Sequence, residues 1–252
     1  MDCKRELEAT VKWTEDYVSD ARAKGIVIGL SGGIDSSVIL GIAVAAVGKE
    51  NVIGVSLPCQ TRDDMKSDAK KLADNFDIRF KTIDISKAVG YTADGVLMAG
   101  FEVTPLVLAN IKARERMNTL YAIAGASNYL VAGTGNLSEL MVGYFTKYGD
   151  GGVDIEPIGN FYKTEVYEMA ELMPEIPNAV KTKAPSADLW DGQTDEDELG
   201  MTYAELDGIL KVLNNPSSTE LDKIDIEKIA KVKKMISIAV HKNNTPPRYV
   251  RE

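Results

Sequence analysis

The 252-residue chain carries 29 Lys+Arg against 38 Asp+Glu, a formal net charge of −9, with one His and two Cys. A chain of this length can bury a sizeable core without disulfides, and so few Cys and His cannot build a four-thiolate or three-His zinc site. A metal would therefore be held by oxygen, with Mg2+ the first expectation, and the acidic balance disfavours nonspecific binding to nucleic acid or anionic membranes.

The first twenty residues are charged throughout, without the apolar core of a signal peptide, and no stretch approaches the roughly 18 apolar residues of a membrane span. A cytoplasmic protein without membrane association and with a small-molecule partner is expected.

Leu7, Val11, Val18 and Ala21 recur near helical spacing, which predicts an amphipathic helix over the first two dozen residues, ended by Gly25. Ile26–Leu30 is an unbroken apolar run, as in a strand buried on both faces. A glycine turn follows, then a helix over Val38–Val47 and a second strand over Asn51–Leu57. The alternation continues with a helix over Asp63–Phe76 and a strand over Arg79–Ile85. Pro105 suits the first turn of a long helix running to about Ser127, and Tyr129–Gly133 reads as a fourth strand. Such alternation predicts a doubly wound, mostly parallel α/β sheet with helices on both faces, Rossmann-like, whose ligands lie beyond the C-terminal strand ends.

After residue 135 the pattern weakens. Asn160–Met173 and Ile224–Val240 look helical, whereas the acid-rich Ala179–Gly200, with Pro185 and Gly192, lacks periodicity and reads as a loop. The expectation is a single domain over 1–252 with a mobile lid at about 180–200.

The main chemical signal is Gly29-Leu30-Ser31-Gly32-Gly33-Ile34-Asp35-Ser36-Ser37, between strand and helix. Paired glycines let the backbone approach a ligand, the serines offer hydroxyls, and the helix N-terminus offers unpaired N–H groups and a positive dipole end, so pyrophosphate fits here. The segment is neither a P-loop nor a G-x-G-x-x-G fingerprint. Asp35 beside phosphates would be repulsive without an intervening cation, which makes it a candidate magnesium ligand. The plainer alternative is a βα turn using Gly for geometry and Ser or Asp as caps.

The string S-G-G-x-D-S resembles the signature of the N-type ATP pyrophosphatases, which cleave ATP between the α and β phosphates and pass AMP to an acceptor oxygen. Gly133-Thr134-Gly135-Asn136-Leu137-Ser138-Glu139 and Gly143-Tyr144-Phe145-Thr146-Lys147-Tyr148-Gly149-Asp150-Gly151-Gly152-Val153-Asp154 narrow the resemblance to the ammonia-dependent NAD synthetases. Agreement extends through Pro157-Ile158, Tyr162-Lys163-Thr164, Lys183 to Leu189, Asp197 to Gly200, and His241-Lys242.

The resemblance implies an adenine nucleotide alpha-hydrolase-like fold and a set of roles. ATP would lie against Gly29, Leu30, Ser31, Gly32, Gly33, Ile34, Asp35, Ser36, Thr134, Lys163 and Ser186. Asp35 and Glu139 would hold Mg2+, and Arg114, Lys147, Asp154, His241 and Lys242 would bind deamido-NAD. The implied reaction forms a dinucleotide adenylate, which ammonia converts to NAD and AMP. Asp154 and Glu198 are the candidates for positioning ammonium and removing its proton, with Lys163 as a third catalytic group.

Several of these residues have plainer alternatives. Arg114 sits among Lys112, Glu115 and Arg116 on a predicted helix, where most charges are solvated, and most of Asp195–Glu198 reads as a solvated acidic loop. Cys59 reads as a small buried or loop residue. Free ammonia is the expected nitrogen donor, because 252 residues leave no room beside this core for the glutaminase domain of glutamine-using relatives. The resemblance also implies a homodimer; the apolar residues of the long helix suit a core or an interface equally. Rival readings are another ATP pyrophosphatase, such as a GMP synthetase core or a tRNA-modifying ligase, and a non-catalytic nucleotide sensor.

Overall fold

The computed structural model describes residues 2–59, 63–183, 194–215 and 225–250. Among these, β1 (Ile26–Gly29), β2 (Val52–Ser56), β3 (Arg79–Thr82) and β4 (Leu130–Ala132) form one parallel sheet in the order β3-β2-β1-β4. Ile26 pairs with Val52 on one side and Leu130 on the other, so β1 lies centrally. A single bridge between Ala132 and Ile155 adds a parallel contact beyond β4.

Alternation along β1 divides the protein into two layers. Ile26 and Ile28 enter one core cluster, whereas Val27 joins Ile53 and Val55 in the other. The first cluster packs under α1 (Cys3–Asp20), α2 (Ile34–Val47) and α7 (Lys163–Glu171), and the second under α4 (Ser86–Met98) and α5 (Pro105–Ser127). Both faces of β1 and β2 are buried, which is why their sequences are continuously apolar. Edge strand β3 is instead largely exposed, with Arg79 and Lys81 discouraging further strand pairing.

A third cluster joins α6 (Leu137–Val142), α10 (Tyr203–Asn214) and α11 (Ile226–Asn243) through Val142, Leu206, Leu210 and Val232. The remaining helices are α3 (Asp63–Asn75), α8 (Asn178–Lys181) and α9 (Asp195–Leu199).

The α/β class, the four strands in order and the helices α1, α2, α3 and α5 match the sequence expectation. Helix α2 begins at Ile34 rather than Val38, because Gly33 is its N-cap; Asp35, Ser36 and Ser37 thus occupy the first helical turn. β3 ends at Thr82, where Ile83 N still bonds to Ser56 O before Asp84 turns the chain by accepting from Ser86 N. Helix α4, with Gly90 and Gly95 in its interior, escaped the sequence reading, as did α10, whose N-terminal Thr202 and Glu205 form a capping box. Helix α7 starts at Lys163, since a turn closed by Phe161 N to Ile158 O occupies the preceding residues. The Ala179–Gly200 stretch contains the end of α8 and all of α9; its central residues 184–193, Ser186 among them, lie outside the described residues.

Candidate active site

The chain runs outward from β1 to β2 and β3, then returns to the other side of β1 to form β4. The switch point therefore lies between β1 and β4, where two strand-to-helix loops open side by side.

In the loop after β1, Gly32 has φ of +79° and packs against Asp68 and Ala69; a Cβ there would meet Asp68 Cβ at 3.0 Å. Glycine answers both constraints. The hydroxyls of Ser36 and Ser37 donate to Gly33 O at 3.0 and 2.8 Å, Gly33 N donates to Ser31 Oγ, and Ser31 Oγ lies 3.2 Å from Ser36 Oγ. This small hydroxyl-lined turn sits at the N-terminus of α2, the positive end of its dipole.

The loop after β4 is fixed by a capping box. Asn136 Oδ1 accepts from Glu139 N at 3.1 Å, and Glu139 Oε2 accepts from Asn136 N at 3.4 Å. The buried Asn136 also donates through Nδ2 to Asp35 Oδ1 at 3.0 Å, which ties the two loops together. No role was assigned to Asn136 from sequence, although the N-x-x-E spacing carried the capping signal.

Between the loops stands Lys163, the first residue of α7 and only 2% exposed. Its Nζ is 2.5 Å from Asp35 Oδ2 and 3.3 Å from Glu139 Oε1, over the Tyr203 ring at 4.9 Å. Burial disfavours this ammonium, but Asp35 and Glu139 outweigh burial and raise its pKa. Burial raises the Glu139 carboxyl to about 7 against the opposing pull of Lys163, with Asp35 and Asp195 adding to the rise.

Tyrosines extend the network toward α9. Tyr203 OH lies 3.2 Å from both Glu139 Oε1 and Asp195 Oδ2, and Tyr144 OH lies 3.1 Å from Asp195 Oδ1 and 2.7 Å from Glu198 Oε2. Asp195 is buried, and burial raises its pKa despite Lys163 and the two phenols. Burial likewise raises both phenols, so they act as donors here. Tyr144 belongs to the resembling Gly143–Asp154 stretch without a role there, Asp195 is buried in a helix rather than solvated in an acidic loop, and nothing in the sequence marks Tyr203, because only the fold brings α9 and α10 to the end of α6.

These groups line a cavity of about 630 Å³, the size of a nucleotide or drug-sized ligand site. Its wall includes Gly29–Ser31, Gly33–Ser36, Thr134, Glu139, Lys163, Glu198 and Lys242, so most of the expected ATP, metal and catalytic residues share one space. Leu57, Arg116, Phe145, Thr146 and Asp150 complete it on the far side.

The other expected dinucleotide residues fall elsewhere. Arg114 is exposed and donates through Nε to Lys147 O at 3.2 Å, while Lys147 Nζ donates to His241 O. Lys242 lines the cavity and its Nζ donates to Gly143 O and Phe145 O, each at 2.7 Å, whereas Arg114, Lys147 and His241 are linked to one another outside the cavity wall.

Asp154 is not brought to Glu198. Its carboxylate accepts from Tyr121 OH at 3.0 Å and Val131 N at 2.8 Å, outside the cavity wall. Asp150, four residues earlier, does line the cavity, together with Asp35, Glu139, Asp195 and Glu198, and accepts from Thr146 N at 3.0 Å. Similarly, Arg116 rather than Arg114 reaches the cavity, held by Nε donation to Leu57 O. Spacing along a Gly-rich turn does not reveal which of two acids faces inward. Cys59 is buried in the second core cluster.

Comparison with known proteins gives the family. The NAD synthase family model matches residues 6–246. The NH(3)-dependent NAD(+) synthetase of Methanosarcina mazei is 40% identical over 98% of both chains, and that of Carboxydothermus hydrogenoformans 41% identical over 96% of this chain and 95% of its own. Among solved structures, an NMN synthetase from Francisella tularensis superposes with a TM-score of 0.88 at 34% identity, covering 99% of each chain. The NH3-dependent NAD synthetase of Campylobacter jejuni superposes at 0.84 with 29% identity, covering 99% of this chain and all of its own. With its switch-point loops and cavity in place and its sequence matched almost end to end, the chain belongs to the NAD synthase family.

Proposed function

We propose that the chain, as one NAD synthetase domain, uses ATP to convert the nicotinate carboxylate of deamido-NAD to the amide of NAD with ammonia, releasing AMP and pyrophosphate. The observation that carries this reading is the cation-carboxylate cluster of Lys163, Asp35 and Glu139, set at the mouth of a hydroxyl-lined anion loop. An ATP-cleaving site needs that pairing of anion cradle and charge-compensating groups. A purely nucleotide-sensing site does not, and near-full-length similarity to NAD synthetases argues against the other ATP pyrophosphatases.

The donor set fits Mg2+. Asp35 and Glu139 meet at one ammonium, and among the described residues no third Asp, Glu, His or Cys joins them as a ligand; two carboxylates plus substrate phosphates is a common way of holding Mg2+. Asp35 and Glu139 would hold the ion, and it would supply positive charge to offset that on the departing pyrophosphate.

The chain's own groups account for the rest. N–H groups of the Gly29–Ser36 loop and the start of α2 cradle phosphate oxygens, and Lys163 donates to them. The substrate carboxylate then attacks the α-phosphorus, breaking the bond to pyrophosphate and leaving a mixed anhydride with AMP. Ammonium loses a proton to a cavity carboxylate, for which Asp150 and Glu198, both in the wall, are the candidates, and ammonia attacks the acyl carbon as AMP leaves. Lys242 in the cavity wall, with Arg114 and Lys147 outside it, would supply cations for the pyrophosphate of a dinucleotide.

A second reading differs only in the acceptor. The similarity to an NMN synthetase favours testing a mononucleotide carboxylate in the same site. Incubation with ATP, Mg2+ and ammonium, with deamido-NAD or its mononucleotide counterpart, measures both; NAD and AMP from the dinucleotide at the higher kcat/KM supports the first, and preference for the mononucleotide selects the second. Absence of AMP with either acceptor would defeat both.

Free ammonia as donor, a cytoplasmic location and a homodimer complete the proposal. No helix among the described residues is long and apolar enough to cross a membrane. The dimer has support in exposed apolar side chains close in sequence, from α4 to the start of α5: Tyr91, Leu97, Met98 (90% exposed), Phe101 (69%) and Leu106. Light scattering after size exclusion tests it, with a monomer at micromolar concentration counting against it.

A further inference from the structure

A buried carboxylate outside the cavity holds two elements of the site together. Asp207, on α10, is 1% exposed and does not line the cavity. Its Oδ1 accepts from Ser138 Oγ at 2.5 Å and its Oδ2 from Thr164 N at 2.9 Å. Ser138, fully buried, in turn accepts from Lys163 N at 2.9 Å. The first two N–H groups of α7, otherwise orphaned at a helix start, are thus satisfied from α6 and α10. A carboxylate facing the positive end of a helix is also well placed electrostatically.

Each atom that Asp207 touches is next in sequence to a residue of the charge cluster. Ser138 precedes Glu139, and Thr164 follows Lys163. One carboxylate therefore clamps both backbone segments whose side chains meet at 3.3 Å. One helical turn earlier on α10, Tyr203 lies over the opposite side of that cluster, with its ring against Lys163 Nζ and its OH on Glu139. Helix α10 holds the ammonium and carboxylate from both ends.

We propose that Asp207, acting through Ser138 and Thr164, is a positioning residue for Lys163 and Glu139, fixing the spacing of the phosphate-facing ammonium and carboxylate. Its catalytic consequence rests on the function proposed above; the geometric link does not. Asp207→Asn keeps shape and one acceptor but cannot accept from both Ser138 and Thr164. Displacement of either backbone segment would misplace charges that act by position.

Two measurements on the full-length protein test it. At a temperature where circular dichroism shows Asp207→Asn folded, kcat/KM for ATP should fall about 10- to 100-fold, the range for lost supporting bonds around a metal site, with KM for ammonium unchanged. In a Lys163→Met background, the same substitution should cost little more than Lys163→Met alone, since both act on one device. The second readout needs no turnover: acylation followed by mass spectrometry should show Lys163 gaining reactivity in Asp207→Asn while Lys181 and Lys242 do not.

Wild-type kcat/KM for ATP in folded Asp207→Asn, fully multiplicative losses, or a rise in labelling shared equally by all lysines would each overturn the proposal. An inactive wild-type protein would defeat the function reading while leaving the labelling arm to decide the link. Should Asp207→Asn fail to fold, Ser138→Ala, which removes one arm, carries both measurements with the same expected directions and the same overturning results.

Discussion

Lys163 Nζ stands 2.5 Å from Asp35 Oδ2, across 128 residues of sequence, and occupies the place between Asp35 and Glu139 where a cation would be needed if the lysine were absent. The ammonium is the counter-ion of two carboxylates, and a divalent cation at the same carboxylates would compete with it for their charge. The two carboxylates are thus charge-compensated by the chain's own lysine.

Lys163→Met leaves Asp35, Glu139 and Asp195 without their nearest cation. Breaking a buried pair in this way costs about 3 kcal/mol. Thermal melts of the variant without metal should show that loss, and millimolar Mg2+ should recover more stability in the variant than in the wild type. Equal Mg2+ response in both proteins would show that lysine and metal do not compete. Activity should drop at least about 100-fold, because a positioned charge at the phosphates is gone.

Asp35→Asn should abolish NAD formation while leaving the fold intact. The amide oxygen can still accept from Lys163 or Asn136, but the charge that would hold the metal is removed. Turnover assays with and without Mn2+ in place of Mg2+ measure this. Full retained activity would rule Asp35 out as a ligand.

Asp150 and Asp154 should separate by phenotype. Asp150→Asn is expected to raise KM for ammonium by about tenfold or more, since that carboxylate lies in the cavity with Glu198. Asp154→Ala is expected to lower stability by about 1–3 kcal/mol, since it orphans Val131 N and Tyr121 OH beside β4. Ammonium kinetics and chemical denaturation of both variants check the pair, and a larger ammonium effect at Asp154 would return the proton-handling role to it.

Asp195 should give the protein, measured without ligands, a pH-dependent stability. Its pKa is raised by burial, so the folded state holds the proton more tightly than the unfolded chain. This contribution favours folding at pH below the usual carboxyl range and is lost as pH rises from about 3.8 through the raised folded value. Asp195→Asn should flatten that part of the stability profile and leave the variant at least as stable as the wild type at neutral pH. Urea midpoints from pH 4 to 8 would measure it, and an unchanged slope would contradict the burial argument.

Much of the molecule was legible in the sequence because its signals are local. Ile26–Leu30 had to be a doubly buried strand, and Pro105 marked a helix start that the structure keeps at the same residue. The Gly-Gly turn with Asp35, and Glu139 at the start of α6, could be placed at strand ends before any coordinates. Helix α4 was missed because two interior glycines lower its propensity, and α10 because its capping box lay beyond a stretch without periodicity.

What tertiary structure alone decided concerns which side chains face one another. The sequence by itself determined the parallel α/β class, the two ligand loops at strand ends, and the oxygen-only chemistry available to a metal. Tertiary packing decided that Asp150 and Arg116 face the cavity while Asp154 and Arg114 face other partners, and that Asp195, Tyr203 and Asp207 join Lys163. The physical reason is range. Strand burial, glycine turns and helix caps are set within a few residues, whereas an ion pair spanning residues 35 and 163 exists only when separate helices pack at one end of a sheet.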